Sequence, residues 1–375
     1  MTVSPGEVPN PLQISEATIA AIAANATARD EQATPAFPGD AFDLLEREGA
    51  LAWNAVEGPE RPPALEELTL VRRVARADSS VGRIFDGHLN AVERLAVQAP
   101  DDVRARELAA IRAGKLRAGV WGGDPVPGEG PPAAIVQAAE GEVLRGVKTF
   151  CSGAGGLHRA LILARDPEGG PPVAVWIDLT DQRRIEIDES WYRSRGLRAS
   201  VSHRVVFHDA PILARFGGPG ALADQPWFGR DAIRTAASWA GMADTAAESA
   251  LDALAERPDP RPLEGLAAGR IMTSRRAIEM WLEAAARAMD EATGAGAGEE
   301  SAATLATISV QARVAMTAEC TTLLDAAARA CGSRPFATGQ ALDRARRDLE
   351  VFLLQHRLDP ILARVGAAEL QRRSV

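Results

Sequence analysis

With 375 residues, the chain is long enough to bury more than one hydrophobic core, so two or three domains are the starting expectation. Hydrophobic residues at 46% and charged residues at 25% are ordinary for a soluble globular protein, and no uninterrupted apolar run reaches membrane-spanning length. The formal net charge of -9 gives no general reason to expect nucleic acid or an anionic membrane surface as partner, although a local arginine cluster can still hold an anion inside an acidic protein.

The first residues, Met1 to Pro11, carry neither a basic stretch nor an apolar core of the kind that directs export, so a cytoplasmic location is expected. Up to about Ala118 the pattern is helical. Ser15 is placed to cap a helix with Ile19, Ile22 and Ala26 on one face, and Asp40 to cap a second that Gly49 ends. After the prolines at 59, 62 and 63, Leu68, Val71 and Ala75 fall within one narrow arc of a third helix. From Gly119 to Phe228 the pattern changes. A Gly- and Pro-rich run, GVWGGDPVPGEGPP, is followed by strand-like segments at Glu142 to Phe150, Ala160 to Ala164, Val173 to Leu179, Arg184 to Ile187 and Ser200 to Phe207. No long helix interrupts them and no GxGxxG joins a strand to a helix, which excludes a Rossmann unit and favours an antiparallel barrel or sandwich.

From Asp231 the chain is helical again. One helix carries Ala243, Ala246 and Ala250 on a narrow seam. A second carries Ile271, Ile278, Leu282, Ala285 and Met289, and ends at TGAGAGEE. A third carries Leu305, Ile308, Ala312, Met316 and Leu323, and a fourth starts near Gln340. The expected architecture is therefore mainly α with a central β-barrel: an N-terminal helical domain over 1–118, a barrel over 119–228 and a C-terminal helical bundle over 229–375. Three cysteines, Cys151, Cys320 and Cys331, form no CxxC pair or zinc-type grouping, and read as buried thiols with no metal.

Four segments at the junctions carry more information than the order of elements. They are ADSSVGRIFDGH (Ala77 to His88), GVKTFCSGA (Gly146 to Ala154), GLRASVSHRVVFHDAPI (Gly196 to Ile212) and ACGSRPF followed by LDRARRD near the end. Together, in this order, they resemble the acyl-CoA dehydrogenase family over nearly the whole chain. The resemblance implies a bound FAD, with Phe150 and Ser152 on the strand that lies against the flavin ring. WGGDP (Trp121 to Pro125) stands where the family has its flavin-covering loop, so Trp121 and Gly122 are candidates, Trp121 being alternatively a core aromatic. Arg257, aided by Arg261, would reach a neighbouring subunit's cofactor, and Gly332 and Ser333 would form the turn beside the adenine half. A homotetramer or homodimer, a small-molecule substrate such as an acyl-CoA thioester, and an electron-transfer partner are implied with it.

The departure lies at the base. The family uses a Glu that in many members falls eight residues after the Asp of the Arg-Asp pair; here that count from Asp348 gives His356. Histidine, ordinarily near pKa ~6.5, is a plausible base or proton shuttle. The Phe-Cys-Ser-Gly-Ala run, the Trp-Gly loop and the Gln-His pair are similar to the flavin-dependent monooxygenase branch of the same superfamily. In that branch His88, Ser152 and His356 would line the pocket, FMN would replace FAD, and a separate reductase would supply reduced flavin. Asp231 is a further candidate base, or else a helix cap, and His158, His203 and His208 read as barrel-surface residues. Three readings follow: thioester α,β-dehydrogenation, which leads because the resemblance spans the chain; monooxygenation of an aromatic or other small substrate; and a non-catalytic member used for binding or assembly.

Overall fold

A computed structural model describes residues 14–58, 60–257, 262–355 and 357–374. Helix α1 (Glu16–Ala24) starts where Ser15 Oγ accepts from the Thr18 N–H at 3.2 Å, satisfying a donor that the first turn leaves free. Two short helices follow, α2 (Ala26–Glu31) and α3 (Gly39–Arg47). Asp40 is not the cap expected of it; Pro38 holds that position, and the Asp40 carboxylate pairs with Arg29 at 2.6 Å. Helix α4 (Ala64–Ala77) buries Leu68, Val71 and Ala75 as its periodicity requires. Asp78 then caps α5 (Ser79–Gln98), accepting from Ser80 N at 2.9 Å and Val81 N at 3.1 Å. Helix α6 (Asp101–Arg112) completes the first group.

Seven strands come next: β1 (Ala118–Trp121), β2 (Ala134–Ala138), β3 (Gly141–Cys151), β4 (Arg159–Ala164), β5 (Val173–Asp178), β6 (Ile185–Asp188) and β7 (His203–Phe216). They form one mixed sheet in the order β1-β4-β5-β7-β3-β2, with β6 also on β7; β1 and β4 are parallel and the other pairs antiparallel. The long β7 is shared: its first part pairs with β6 and β3 and its last residues with β5, the change falling near Asp209 at φ 55°. The sheet is not closed, so the expected barrel is not confirmed. Its end strands β1 and β2 flank the segment containing Pro125, Pro127, Pro131 and Pro132, whose nitrogens cannot donate to a ladder. One isolated bridge, Ala134 to Arg165, reaches from β2 toward the β4 side.

The last part is helical: α7 (Trp227–Ala255), α8 (Pro262–Thr293), α9 (Glu299–Cys331), the single turn α10 (Arg334–Ala337), α11 (Ala341–Leu353) and α12 (Asp359–Arg373). The alanine seam of α7 is fully buried. Close approach is set by glycine at two places on α4. A Cβ at Gly82 of α5 would stand 2.5 Å from the Ala75 Cα, and one at Gly241 of α7 would run into the Arg72 carbonyl oxygen and come within 2.9 Å of the Ala75 Cβ. No helix of the described residues is long and apolar enough to cross a membrane.

Candidate active site

A cavity of about 630 Å³ lies where the sheet meets α5, α7, α9 and α11, within the size range of cofactor and small-molecule sites. Helical spacing explains its helical walls. Arg83, Gly87 and Asn90 share one face of α5, and Phe228, Asp231, Ala232 and Thr235 one face of α7. From the sheet come Phe150 and Ser152, with Gly122 and Gly123 beside them.

The strand β3 is irregular where it meets the cavity. Its pairing with β7 shifts register between Lys148 and Cys151, and Phe150 has φ 55°, a left-handed conformation uncommon outside glycine. The Phe150 ring is 61% exposed and meets Trp191 edge-on at 5.0 Å. Such strain gathers at functional sites, because the surrounding fold must hold it in place. Ser152 Oγ lies 2.8 Å from Ser202 Oγ, which lies 2.8 Å from Ser200 Oγ, so three hydroxyls form one chain ending at the cavity. Trp121 is buried behind this strand and donates its Nε1–H to the Ser152 carbonyl at 3.0 Å. Its indole does not line the cavity and acts as a core brace. The glycines after it let the loop lie on β3: a Cβ at Gly123 would sit 2.5 Å from the Thr149 carbonyl oxygen. Lys148 Nζ to Asp124 at 2.7 Å pins the loop there.

The opposite wall is welded by the Arg-Asp pair of α11. A Cβ at Gly196 would collide with the Arg347 carbonyl oxygen, and Asp348 Oδ1 accepts from Leu197 N at 2.6 Å. Leu197, at φ 53°, lines the cavity. Burial pushes the Asp348 carboxyl up to about 7. Arg347 meanwhile pairs with Asp30 at 2.8 Å and Asp343 at 2.9 Å.

His88 is fully buried and does not line the cavity, which corrects its expected place there. Its Nε2–H donates to the Leu51 carbonyl at 2.8 Å and its Nδ1 accepts from Ala118 N at 3.1 Å, so both ring nitrogens tie α5 to backbone. Burial holds the ring neutral, with its pKa drawn down to about 4. Asp231 does line the cavity, but it is neither cap nor free base. Arg94 holds Oδ2 at 2.7 Å and Arg234 holds Oδ1 at 3.2 Å. Behind it Arg230 and Arg234 meet Glu67 and Glu93 at 2.5 to 3.0 Å, all fully buried.

Arg257, Gly332 and Ser333 lie near one another, away from this cavity. Arg257 pairs with Glu264 and donates to the Ala330 carbonyl at 2.9 Å, just before Gly332 closes α9 at φ 71°. His356 and Arg261 fall outside the described residues; Leu354 and Gln355, just before His356, line the cavity. His203 is buried rather than at the surface, while His158 is half-buried and His208 is exposed beside Glu186. The sequence reading missed the hydroxyls of Ser200 and Ser202, and it missed Arg313. Ser309, Arg313, Met316 and Cys320 share the buried face of α9, so a charge within an i, i+4, i+7, i+11 stripe was the available signal.

No family model matches the sequence, and no curated protein sequence matches it. The three-dimensional fold does match. It is the fold of flavin-dependent monooxygenases built on the acyl-CoA dehydrogenase plan. FMN-bound TdsC, a dibenzothiophene monooxygenase from Paenibacillus sp. A11-2, aligns with a TM-score of 0.85 over 96% of this chain and 97% of its own, at 20% identity; its structure with FMN and indole aligns equally well. The methanesulfinate monooxygenase MsuC from Pseudomonas fluorescens aligns at 0.83 over 99% and 98%, at 22% identity. KijD3, in complex with FMN and a dTDP-linked amino-keto sugar, aligns at 0.82 over 97% and 95%, at 20% identity. At these identities the shared property is the fold.

The residues present suit a flavin. The cavity is roomy and mostly apolar, an exposed aromatic ring stands on a strained strand at its edge, and a hydroxyl chain opens onto it.

Proposed function

We propose that this chain is a reduced-flavin-dependent monooxygenase that holds FMN in the cavity and oxidises a small, substantially apolar molecule there. The observation that carries the reading is the cavity beneath Phe150 and Ser152, in a fold whose matched structures include FMN monooxygenases. Bound flavin would supply the oxygen and electron-transfer chemistry. The chain would supply binding and proton placement. Phe150 would meet the ring, Gly122 and Gly123 would let backbone approach it, and Ser152 would present a hydroxyl whose proton direction is set by Ser202 and Ser200. His356 is assigned the acid–base role, worth roughly 10²-fold or more in rate if it acts as such groups usually do.

Thioester dehydrogenation, the reading that the sequence resemblance put first, asks for a free carboxylate base. Among the described residues the one carboxylate that lines the cavity is Asp231, and guanidinium groups hold both its oxygens. Monooxygenation is therefore preferred. The division into domains at 1–118, 119–228 and 229–375 belongs to the same reading. So does an oligomer in which Arg257, Gly332 and Ser333 serve a neighbour's cofactor.

The test is to add FMN or FAD to purified protein and follow flavin fluorescence. Reduced FMN and oxygen are then supplied with indole and dibenzothiophene, and oxygen incorporation is measured with labelled O₂. Labelled oxygenated product, lost in His356→Ala with flavin still bound, is the expected result. Anaerobic bleaching of bound flavin by acyl-CoA, with no oxygenated product, would overturn the proposal in favour of dehydrogenation.

A further inference from the structure

Five arginines of the described residues are buried, and four of them have a carboxylate partner: Arg29 with Asp78 at 2.8 Å, Arg94 with Asp231 at 2.7 Å, Arg230 with Glu93 at 2.7 Å and Arg234 with Glu67 at 2.5 Å. The fifth is Arg313 of α9, which is 2% exposed and lines the cavity. Its Nε–H donates to the Ser309 carbonyl of its own helix at 3.0 Å, and no described carboxylate pairs with it. Burial alone pulls its guanidinium down to about 10, with no acidic group opposing the pull. The cavity's other charges do not offset it. Arg83 is engaged by Asp86 at 3.1 Å and lies over the Phe352 ring, and Asp231 is taken by Arg94 and Arg234. A cation that faces a mostly apolar cavity with no counter-charge is stabilised when an anion joins it there. Most of the wall around it is apolar, with Val120, Leu222, Phe228 and Phe352 contributing.

We propose that Arg313 is an anion anchor, and that the substrate of this site is an apolar molecule bearing a carboxylate or an equivalent planar-forked oxyanion such as a sulfinate. The guanidinium presents parallel N–H donors that match two such oxygens, a geometry that an ammonium does not offer. The inference rests on the flavin reading for the statement that the cavity is a substrate site. The same chemistry is offered by the phosphate of FMN, so the experiment separates the two sources.

The full-length protein, with and without FMN, is titrated calorimetrically with two matched pairs, indole-3-carboxylate against indole and benzoate against benzamide, and separately with FMN against riboflavin. Wild type should bind the carboxylates at least about tenfold more tightly than their neutral twins, the scale of one charge-assisted anchor. Arg313→Met should abolish that preference while leaving the neutral twins and FMN unchanged, and Arg313→Lys should keep part of it. If Arg313→Met fails to fold, as judged by its thermal melt, the Lys variant decides by a reduced preference. Equal binding of charged and neutral twins by wild type overturns the proposal, as does a carboxylate preference that survives undiminished in Arg313→Met or, where that variant does not fold, in Arg313→Lys. A loss of FMN affinity with riboflavin unchanged assigns the anchor to the flavin phosphate and overturns the substrate assignment. A protein that binds neither flavin refutes the monooxygenase reading, whereas the anion preference is read from the flavin-free titration by itself.

Discussion

Replacing His88 by Gln tests whether this residue is part of the framework rather than the chemistry. The imidazole is buried, gives Nε2–H to the Leu51 carbonyl and takes the Ala118 N–H on Nδ1. At pH 7 the substitution removes two buried hydrogen bonds in this geometry, at about 1 to 3 kcal/mol each, so a loss of about 2 to 6 kcal/mol is expected. The pH dependence is more specific. Burial lowers the folded-state pKa from the ordinary 6.5 to about 4. Between those values the unfolded chain binds a proton that the native state refuses, so stability falls as pH drops through the window. The fall amounts to about 3 kcal/mol. Asp86 and Asp348, pushed up by burial to about 6 and about 7, titrate nearby with the opposite sign, so the difference between wild type and variant is the quantity to read. Urea unfolding followed by tryptophan fluorescence at steps from pH 7 to pH 4 should show that gap shrinking by about 3 kcal/mol. A gap independent of pH would refute the buried neutral imidazole. A large loss of turnover at unchanged stability would return His88 to the pocket.

Arg234→Met leaves Glu67 and Glu93, both fully buried, to share Arg230 and should cost about 3 to 5 kcal/mol in chemical denaturation, with partial recovery when Glu67→Gln is added. Gly196→Ala drives a methyl into the Arg347 carbonyl; a loss of about 1 to 3 kcal/mol or more is expected, together with weaker ligand binding because Leu197 lines the cavity. Asp348→Asn keeps an acceptor for the Leu197 N–H but removes the charge. The native Asp348 keeps its proton up to about pH 7, whereas the unfolded chain releases it near pH 4. Wild type therefore loses stability as pH rises through that window, and the Asn variant should gain on it by at least about 1 kcal/mol between pH 5 and pH 8, as melting or urea curves will show.

The switch from helix to strand near Ala118 was readable because periodicity changes there, and so was the start of α11 after Gln340. Strands β1 and β2 were not, since they sit in a Gly- and Pro-rich run and owe their pairing to partners far along the chain. Helix α5 was reached through the resemblance of its first residues, Ala77 to His88, and not through its burial. It is buried on nearly every side, and its inward Glu93 and Arg94 look like surface residues until Arg230 and Asp231 arrive from α7, 137 residues on. Ser152 stood out through its motif. His88 also stood out, but the groups that occupy its nitrogens, at Leu51 and Ala118, are visible only in three dimensions. Arg313 carried a local signal, a cation on a stripe that is otherwise small or apolar, and the resemblance drew attention away from it.

The contact of α4 with α5 and α7 around Ala75 has a bearing on ligand entry. With glycine at 82 and 241, main chain rests on main chain, and no side chain lies between that could change rotamer to let one helix slide past another. The spacing between Arg83 to Asn90 on one helix and Asp231 to Thr235 on the other is thus set during folding, and a guest meets this part of the chamber already shaped. Any adjustment to its size is left to the rim, where Phe150, Phe228 and Leu354 turn toward water.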